Sequence, residues 1–318
     1  MKKIFLLLTV GTGWLAASAQ YNTTNLTVKA DQSMTAFTWK NMRVYPVIAK
    51  AEFIQAHIDV GKYTSLSEAL KQKKLVISEA TEGEQVNKLY AENISKDTIM
   101  ILGGEVITGG KQDRMIASDF ILPPKSGKKD LSVFCVEHGR WTYKGSRSDA
   151  NVAMFSASPG MVNKEVRKAA GVSKNQSKVW DKVSEVTRGN GAVTSTGTYA
   201  ALDSNKDYKA KVGEYTAFFK KILAEDNSII GLVAVTGDSI MGCEMFATHN
   251  LLMQHADNVI NSYATEAITS GSKVTIQNEK VLAYANTLLA DETKQSKFIR
   301  ENGTELKDKN RKLHIAVY

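Results

Sequence analysis

Residue types that bind ligands and transfer protons are concentrated between residues 103 and 141. The block contains Glu105, Lys111, Gln112, Asp113, Arg114, Cys135, Glu137, His138, Arg140 and Trp141. These residues stand among glycine turns and short apolar runs, where a purely structural segment would need little charge. The block is therefore the first candidate for a functional site.

The basic and aromatic members of the block suit an anionic small molecule. Arg114 and Arg140 each carry a planar fork of donors that matches phosphate or carboxylate, and Lys111 adds a point charge. Trp141 can supply a stacking face. The predicted ligand-binding residues are Lys111, Gln112, Arg114, Arg140 and Trp141. A sugar phosphate or a nucleotide would suit this combination, for binding or for hydrolysis.

Two glutamates of the block are the candidate catalytic residues. Glu105 and Glu137 can each act as a general base or orient a sugar hydroxyl. The alternative is a non-enzymatic envelope or secreted protein, in which these carboxylates pair with Arg114 and Arg140 to hold strands together or to form a protein-interaction surface. A ligand site needs both arginines to converge on an open pocket, whereas a structural network needs both guanidinium groups paired and covered.

The cysteine of the block does not have the spacing of a catalytic nucleophile. Cys135 and Arg140 superficially resemble the anion-binding loop of rhodaneses and cysteine phosphatases. That loop needs five intervening residues to wrap backbone N–H groups around a phosphate, and only four stand here. A buried strand cysteine is therefore favoured. Continued strand alternation would place Glu137 on one face of the strand, and His138 and Arg140 on the other.

The histidines give no metal-binding signature. His249 and His255 are six residues apart on a predicted helix, so they do not share a face. The sequence contains no H-E-x-x-H, paired C-x-x-C or EF-hand motif, and no glycine-rich nucleotide-binding loop. We therefore predict neither a metal nor a cofactor.

The first nineteen residues have the features of a secretory signal peptide. Lys2 and Lys3 precede an apolar stretch that ends near Ala16, and residues 17–19 read A-S-A. The apolar stretch is shorter than the roughly 20 residues that a membrane span needs. We predict cleavage before Gln20 and an exported, periplasmic or extracellular protein with no transmembrane segment.

The predicted mature chain, residues 20–318, is moderately basic. The full sequence carries 41 basic and 33 acidic residues, a net charge of +8, and removing Lys2 and Lys3 lowers the charge to +6. Its lysines are scattered with little aromatic interleaving, which argues against a nucleic-acid partner and leaves an anionic small molecule as the favoured one. The sequence identifies no protein partner. With 43% hydrophobic residues, the chain can form one domain, or two lobes with a boundary near residues 150–165.

Apolar patterns divide the mature chain into a strand-rich N-terminal half and a helix-rich C-terminal half with a few further strands. The predicted fold class is therefore α+β. Short apolar runs between turn signals predict strands up to about residue 147. A hydroxyl N-cap at Ser65 predicts a short helix to Lys71. Helical spacing of apolar residues predicts helices on both sides of residues 188–205, and residues 297–318 are predicted to end in a hairpin.

Two features stay open at this stage. Residues 188–205 are rich in Gly, Ser, Thr and Asn, which is typical of a surface loop, although such a segment can also act as a lid. Cys135 and Cys243 are the only cysteines, and the sequence alone does not decide whether they form a disulfide.

The order and spacing of several motifs resemble one known family. The motifs are Gly104-Glu105, the G-G-K-Q-D-R run of residues 109–114, the C-V-E-H-G-R-W run of residues 135–141, and the later apolar stretch of residues 233–246. Together they resemble the ADP-ribosylglycohydrolase- and rhodanese-phosphatase-associated domain over most of the mature chain. The resemblance implies, through the enzymes with which the family is associated, a nucleotide or phosphate ligand such as an ADP-ribose-like molecule.

Overall fold

The computed structural model describes residues 20–30, 33, 35–80, 86–142 and 155–318. The predicted signal peptide, residues 1–19, lies outside the described residues. Within the described part of the chain, no helix combines the length and the apolar character that a membrane crossing requires.

Antiparallel strands dominate the first half of the described chain, and helices dominate the second half. The strands are β1 (Leu26–Val28), β2 (Thr38–Trp39), β3 (Met42–Ala49), β4 (Tyr63–Ser65), β5 (Leu75–Glu79), β6 (Lys88–Asn93), β7 (Thr98–Ile101), β8 (Glu105–Thr108), β9 (Arg114–Ile116), β10 (Phe120–Leu122), β11 (Gly127–Cys135), β12 (Ser156–Met161), β13 (Ile229–Thr236), β14 (Ser239–Phe246), β15 (Gly303–Asp308) and β16 (Arg311–Val317). The helices are α1 (Ala51–Ala56), α2 (Leu66–Lys71), α3 (Lys164–Gly171), α4 (Gln176–Gly189), α5 (Ala201–Ser204), α6 (Lys206–Ala224), α7 (His249–Thr269), α8 (Asn278–Leu288) and α9 (Glu292–Asn302).

The largest sheet has the strand order β1-β3-β13-β14-β16-β15, with β2 paired to β3. Its central strands β3 and β13 are buried along nearly their whole length, as expected of apolar strands covered on both faces. Val44 packs in one apolar cluster with Phe219 of α6 and Leu252 of α7. The next residue, Tyr45, packs in the opposite cluster with Val281 of α8. This alternation fixes the register of β3, because a shift of one residue would exchange its two faces.

Two smaller sheets position the polar block. Their strand orders are β10-β7-β4 and β12-β8-β9-β11-β6-β5. The turn at residues 109–113 joins β8 to β9, and β11 ends at Cys135 beside β9. Val179 and Val183 of α4 belong to the same apolar cluster as Val136, the residue after β11. The polar block therefore lies where strand ends, a glycine turn and a helix meet.

The predicted α+β class is confirmed, with strands in the first half and helices in the second. The predicted helix after Ser65 is α2, whose first turn donates the Glu68 N–H to the Ser65 hydroxyl at 3.4 Å. The tail ends in the hairpin of β15 and β16, but residues 297–302 continue α9, whose N-terminus is capped by Asp291. Cys135 and Cys243 are both buried free thiols, so the open question of a disulfide is answered in the negative.

Candidate functional site

The turn between β8 and β9 depends on glycine. Gly110 has a φ of +48°, and a Cβ atom placed on it would lie 2.4 Å from both Oε1 of Glu79 and the ring of Phe155. A side chain is therefore excluded by conformation and by space. Oε1 of Glu79 also accepts the backbone N–H of Lys111 at 2.7 Å, which fixes the turn against β5.

The guanidinium group of Arg140 closes over this turn and is fully engaged. Its Nε and Nη2 donate to Oε2 of Glu137 at 3.0 and 2.6 Å, and Nη2 also lies 3.2 Å from Oδ1 of Asp113. Nη1 donates to the carbonyl oxygens of Gly110 and Thr142, each at 2.7 Å. The side chain is only 10% exposed. The guanidinium group of Arg140 is therefore paired and covered, as a structural network requires.

The two carboxylates of this network, Asp113 and Glu137, are buried, and Glu137 is held ionised. Burial favours a higher pKa for Glu137, but hydrogen bonds from Arg140 and from the backbone N–H of Asp113 outweigh it and keep that pKa below its usual value. The other oxygen of Asp113, Oδ2, accepts the hydroxyl of Thr198 at 2.7 Å. We refer to Asp113, Glu137, Arg140 and Thr198 as the Arg140 network.

The prediction that Glu137 and Arg140 lie on opposite strand faces is wrong. Strand β11 ends at Cys135, and the backbone N–H of Gly139 donates to the carbonyl oxygen of Thr196 at 2.8 Å. Because the chain leaves the strand geometry here, residues three positions apart can meet across a turn. The structure therefore brings together a pair that simple alternation separates.

Arg114 lies on β9 and differs sharply from Arg140. Its side chain is completely buried, and its Nε donates to the carbonyl oxygen of Val86 at 3.2 Å. Its two terminal nitrogens, Nη1 and Nη2, are buried without a hydrogen-bond partner in the described structure. The guanidinium carbon lies 5.6 Å from the ring centre of Trp141, and Nζ of Lys111 lies 5.3 Å from the same ring.

Gln112 and Cys135 connect the two arginine environments. Nε2 of Gln112 donates to the carbonyl oxygen of Glu137 at 2.9 Å, and its Oε1 accepts the thiol of Cys135 at 2.9 Å. Burial raises the pKa of Cys135 to about 11, although nearby Arg114 acts in the opposite direction. The thiol is therefore protonated at neutral pH, which argues against a nucleophilic role.

Glu105 lies in a separate polar cluster. Its Oε2 accepts the backbone N–H of Leu102 at 2.8 Å, and its Oε1 accepts the amide of Asn258 from α7 at 2.6 Å. Burial raises the pKa of Glu105 to about 8, partly offset by these two hydrogen bonds. Of the predicted site residues, Lys111, Gln112, Arg114, Glu137, Arg140 and Trp141 are thus gathered around the turn, and Glu105 is not.

A second buried network lies close to Glu105 and was not predicted. His314 is bridged by Nδ1 to Asp119 and by Nε2 to Glu244, each at 2.6 Å, and Glu244 also accepts Nη1 of Arg167 at 2.5 Å. Burial disfavours the charged imidazole, but the two carboxylates outweigh it and raise the pKa of His314 to about 9. We refer to Asp119, Arg167, Glu244 and His314 as the His314 network.

The sequence did contain a weak signal for the His314 network. Glu244 and His314 each interrupt an otherwise apolar strand, and a charged residue in such a position is seldom buried unless it is paired. Asp119 and Arg167 give no such signal, because each has a polar residue next to it in the sequence. Their contribution depends on tertiary contacts between β14, β16 and α3.

An open cavity of about 660 Å³ adjoins the Arg140 network, two of whose members, Asp113 and Thr198, line it. It is bounded by the end of β8, by β12 and by the segment before and within α5. Its described lining residues are Thr108, Asp113, Ala157, Ser158, Gly191, Ala192, Val193, Thr194, Thr198, Ala200, Ala201, Asp203, Ser204 and Asn205. In the described parts of the chain, no group of three or more His, Cys, Asp or Glu side chains is arranged to hold a metal ion.

The three sheets and the glycine turn define an α+β protein with two buried polar networks. Residues 32–314 match the ARG and Rhodanese-Phosphatase-superfamily-associated Protein domain, ARPP-1, and the chain belongs to that family. The family predicted from the motifs is thereby confirmed. No curated protein and no solved structure is significantly similar to the chain.

Proposed function

We propose that this protein binds an anionic small molecule, a nucleotide or sugar phosphate such as an ADP-ribose-like ligand, through Arg114, Lys111 and Trp141. One observation carries the proposal: both terminal nitrogens of Arg114 are buried without a partner in the described structure. The family's association with ADP-ribosylglycohydrolase and rhodanese-phosphatase proteins supports the same ligand class.

The energetics of Arg114 favour a ligand with paired oxygens. A buried charge left without full hydrogen bonding costs several kcal/mol, so the guanidinium group gains from any oxyanion that reaches it. A phosphate can accept both Nη donors at once, in the parallel geometry that arginine favours. Lys111 and Trp141 are partly exposed, and the charged groups of Lys111 and Arg114 lie 5.3 and 5.6 Å from the centre of the Trp141 ring, so the proposal has the ligand approach Arg114 from this side. Lys111 then adds charge, and the Trp141 ring offers a face to a base.

Glu137 and Arg140 have a positioning role in this proposal. Arg140 donates hydrogen bonds to the turn and to two carboxylates, so it holds the glycine turn in place beside Arg114. Gln112 links the backbone carbonyl of Glu137 to the Cys135 thiol, so the Glu137 backbone is fixed against the end of β11. Glu105 belongs to the second cluster, and the proposal gives it no contact with the ligand.

A second candidate function rests on the saturation of Arg140. A guanidinium group paired at all three nitrogens is what a structural role for the polar block requires. Under this alternative, the block stabilises a secreted or envelope protein that acts through protein contacts. The two functions differ at Arg114, which only the ligand-binding function requires to be accessible to small molecules.

Thermal unfolding with ligands tests the proposed function. Purified protein would be unfolded alone and with ADP-ribose, NAD, AMP and ribose 5-phosphate, beside the variants Arg114→Met and Arg188→Met. Arg188 is an exposed arginine of α4 and serves as the matched control. A ligand at about 100 times its Kd should stabilise the wild type by about 2.7 kcal/mol, a rise of several degrees in Tm.

The pattern across the variants decides between the two functions. The proposal expects the ligand-dependent rise in Tm in the wild type and in Arg188→Met, and its loss in a folded Arg114→Met protein. If none of the four ligands raises the Tm, or if Arg114→Met responds as the wild type does, the anion site is refuted and the structural function is favoured.

Export is the other part of the proposed function. It is motivated by the charged, apolar and A-S-A segments of residues 1–19. Expression of the full chain in a bacterial host, followed by fractionation and N-terminal sequencing, should yield a periplasmic or secreted protein that begins at Gln20. A cytoplasmic product that retains Met1 would contradict it.

A further inference from the structure

The 660 Å³ cavity beside the Arg140 network has the size of a small-molecule site. Its floor comes from Thr108 at the end of β8 and Ser158 of β12, and its wall comes from residues 191–205. Residues that carry hydroxyl groups line it from both sides: Thr108, Ser158, Thr194, Thr198 and Ser204. Hydroxyl groups donate and accept hydrogen bonds, so this lining can match a ligand that does the same.

The charges of the cavity disfavour an anion. Its described lining contains two carboxylates, Asp113 and Asp203, and no Lys, Arg or His. Lys209 acts electrostatically on Asp203 but is not part of the lining. A phosphate placed here would meet carboxylate oxygens without a compensating fork of donors. The preferred ligand is therefore neutral and rich in hydroxyl groups.

Asp203 is the group best placed to recognise such a ligand. It accepts a hydrogen bond from the hydroxyl of Ser158. Burial raises the pKa of Asp203, the hydrogen bond from Ser158 and the charge of Lys209 lower it in part, and the charge of Asp113 raises it further. A carboxyl group in this setting can bind a sugar hydroxyl with one oxygen while the other stays on Ser158.

The cavity wall is held in place before any ligand arrives. The backbone N–H of Tyr199 donates to the carbonyl oxygen of Val136 at 2.8 Å, and Gly139 donates to Thr196 at the same distance. The hydroxyl of Thr198 donates to Asp113 at 2.7 Å. A preformed wall lowers the entropy that binding must overcome.

We propose that this cavity is a binding site for a neutral sugar or similar polyol, recognised by Asp203 and Ser158, and that it is distinct from the anion site at Arg114. The proposal uses none of the side chains that flank Trp141. It therefore stands whether or not an anion binds at Arg114.

Titration with D-ribose tests this site. The full protein would be titrated with D-ribose by calorimetry or ligand-observed NMR, with tetrahydrofuran as a ring of similar size that lacks hydroxyls. The variants are Asp203→Asn, Ser158→Ala and the control Asp238→Asn, an exposed aspartate in the turn between β13 and β14. We expect saturable binding of D-ribose and none of tetrahydrofuran. Asp203→Asn should weaken binding at least tenfold, Ser158→Ala should weaken it severalfold, and Asp238→Asn should leave it unchanged.

The outcomes separate this proposal from the anion site. D-ribose binding that survives in Arg114→Met and is lost in Asp203→Asn supports a separate polyol site. Absence of saturable binding overturns the proposal, as does an affinity that neither Asp203→Asn nor Ser158→Ala changes. If Asp203→Asn does not unfold cooperatively, Ser158→Ala alone decides, because removing one hydroxyl leaves the buried backbone unchanged. AMP binding measured on the same variants reports on Arg114 independently.

Discussion

Two arginines of one polar block, Arg140 and Arg114, lie on either side of the same glycine turn and have opposite environments. Arg140 donates to two carboxylates and to backbone carbonyl oxygens, whereas Arg114 has a single hydrogen bond, from Nε, and two buried terminal nitrogens without a partner in the described structure. The same residue type is thus fully hydrogen-bonded in one place and, under the proposed function, available to a ligand in the other. The contrast teaches that one charged motif can hold a saturated and an unsaturated arginine a few tens of residues apart in the sequence.

The largest expected effect is the loss of Arg140. Arg140→Met would leave Glu137 and Asp113 buried next to one another without their shared cation. Removing one partner of a buried ion pair typically destabilises a protein by about 3–5 kcal/mol. Chemical denaturation should show this loss in the free energy of unfolding. A loss below about 1 kcal/mol would mean that Arg140 is not structural, and the comparison would fail.

A pH dependence of a few kcal/mol is expected from Glu105 and His314. Their folded-state pKa values of about 8 and 9 lie above the usual 4.5 and 6.5, so the folded protein binds more protons than the unfolded chain between these limits. His255 and His57, whose pKa values burial lowers, act in the opposite direction below about pH 6.5, so stability should fall with rising pH mainly between about 6.5 and 9. Denaturation across this range measures the slope, and Glu105→Gln should flatten it in its lower part. If stability increased with pH in both Glu105→Gln and the wild type, the raised pKa of Glu105 would be contradicted.

The turn that separates the two arginines should tolerate no side chain at its centre. Gly110→Ala places a methyl group against Glu79 and Phe155 in a left-handed backbone conformation. Such strain typically costs on the order of 1–3 kcal/mol. Gly213, in helix α6 with open space around it, gives the matched control, because Gly213→Ala should be neutral or stabilising. Equal stability of the two alanine variants would show that the turn is not constrained.

The smallest expected effect on stability is that of Arg114. Arg114→Met removes a buried charge that is poorly compensated in the folded protein and fills the same space with apolar atoms. Such replacements are often neutral or stabilising, so we expect a change of no more than about 1 kcal/mol. Chemical denaturation of Arg114→Met and Arg140→Met under the same conditions compares the two arginines directly. If Arg114→Met lowered the free energy of unfolding by about 3 kcal/mol or more, both arginines would stabilise the fold and the contrast between them would fail.

The sequence predicts the local features of this fold well, because they depend on nearby residues. The helix after Ser65 follows from its capping hydroxyl, and the buried strands β3 and β13 follow from their apolar runs. The polar block was predicted as one site, and most of its members do meet around one turn. Its division into a saturated arginine and an unsaturated one depends on where the chain leaves strand geometry after Cys135, which residue spacing does not encode.

The His314 network is even harder to predict from residue spacing. Its four residues come from β14, β16, α3 and the chain between β9 and β10, so only the assembled tertiary structure brings them together. Glu105, predicted as a candidate catalytic residue beside Glu137, has its described hydrogen bonds near this second network instead. The block is continuous in sequence and its strands β8, β9 and β11 belong to one sheet, yet its side chains are divided between two polar clusters.

The most direct test of the central claim is a calorimetric titration of ADP-ribose into the wild type, Arg114→Lys and Arg188→Lys. Lysine keeps the charge of Arg114 but loses the planar fork that grips two phosphate oxygens. The anion site predicts saturable binding in the wild type and in Arg188→Lys, and an affinity at least tenfold weaker in a folded Arg114→Lys protein. Equal affinities in all three proteins, or no binding to the wild type, would contradict it.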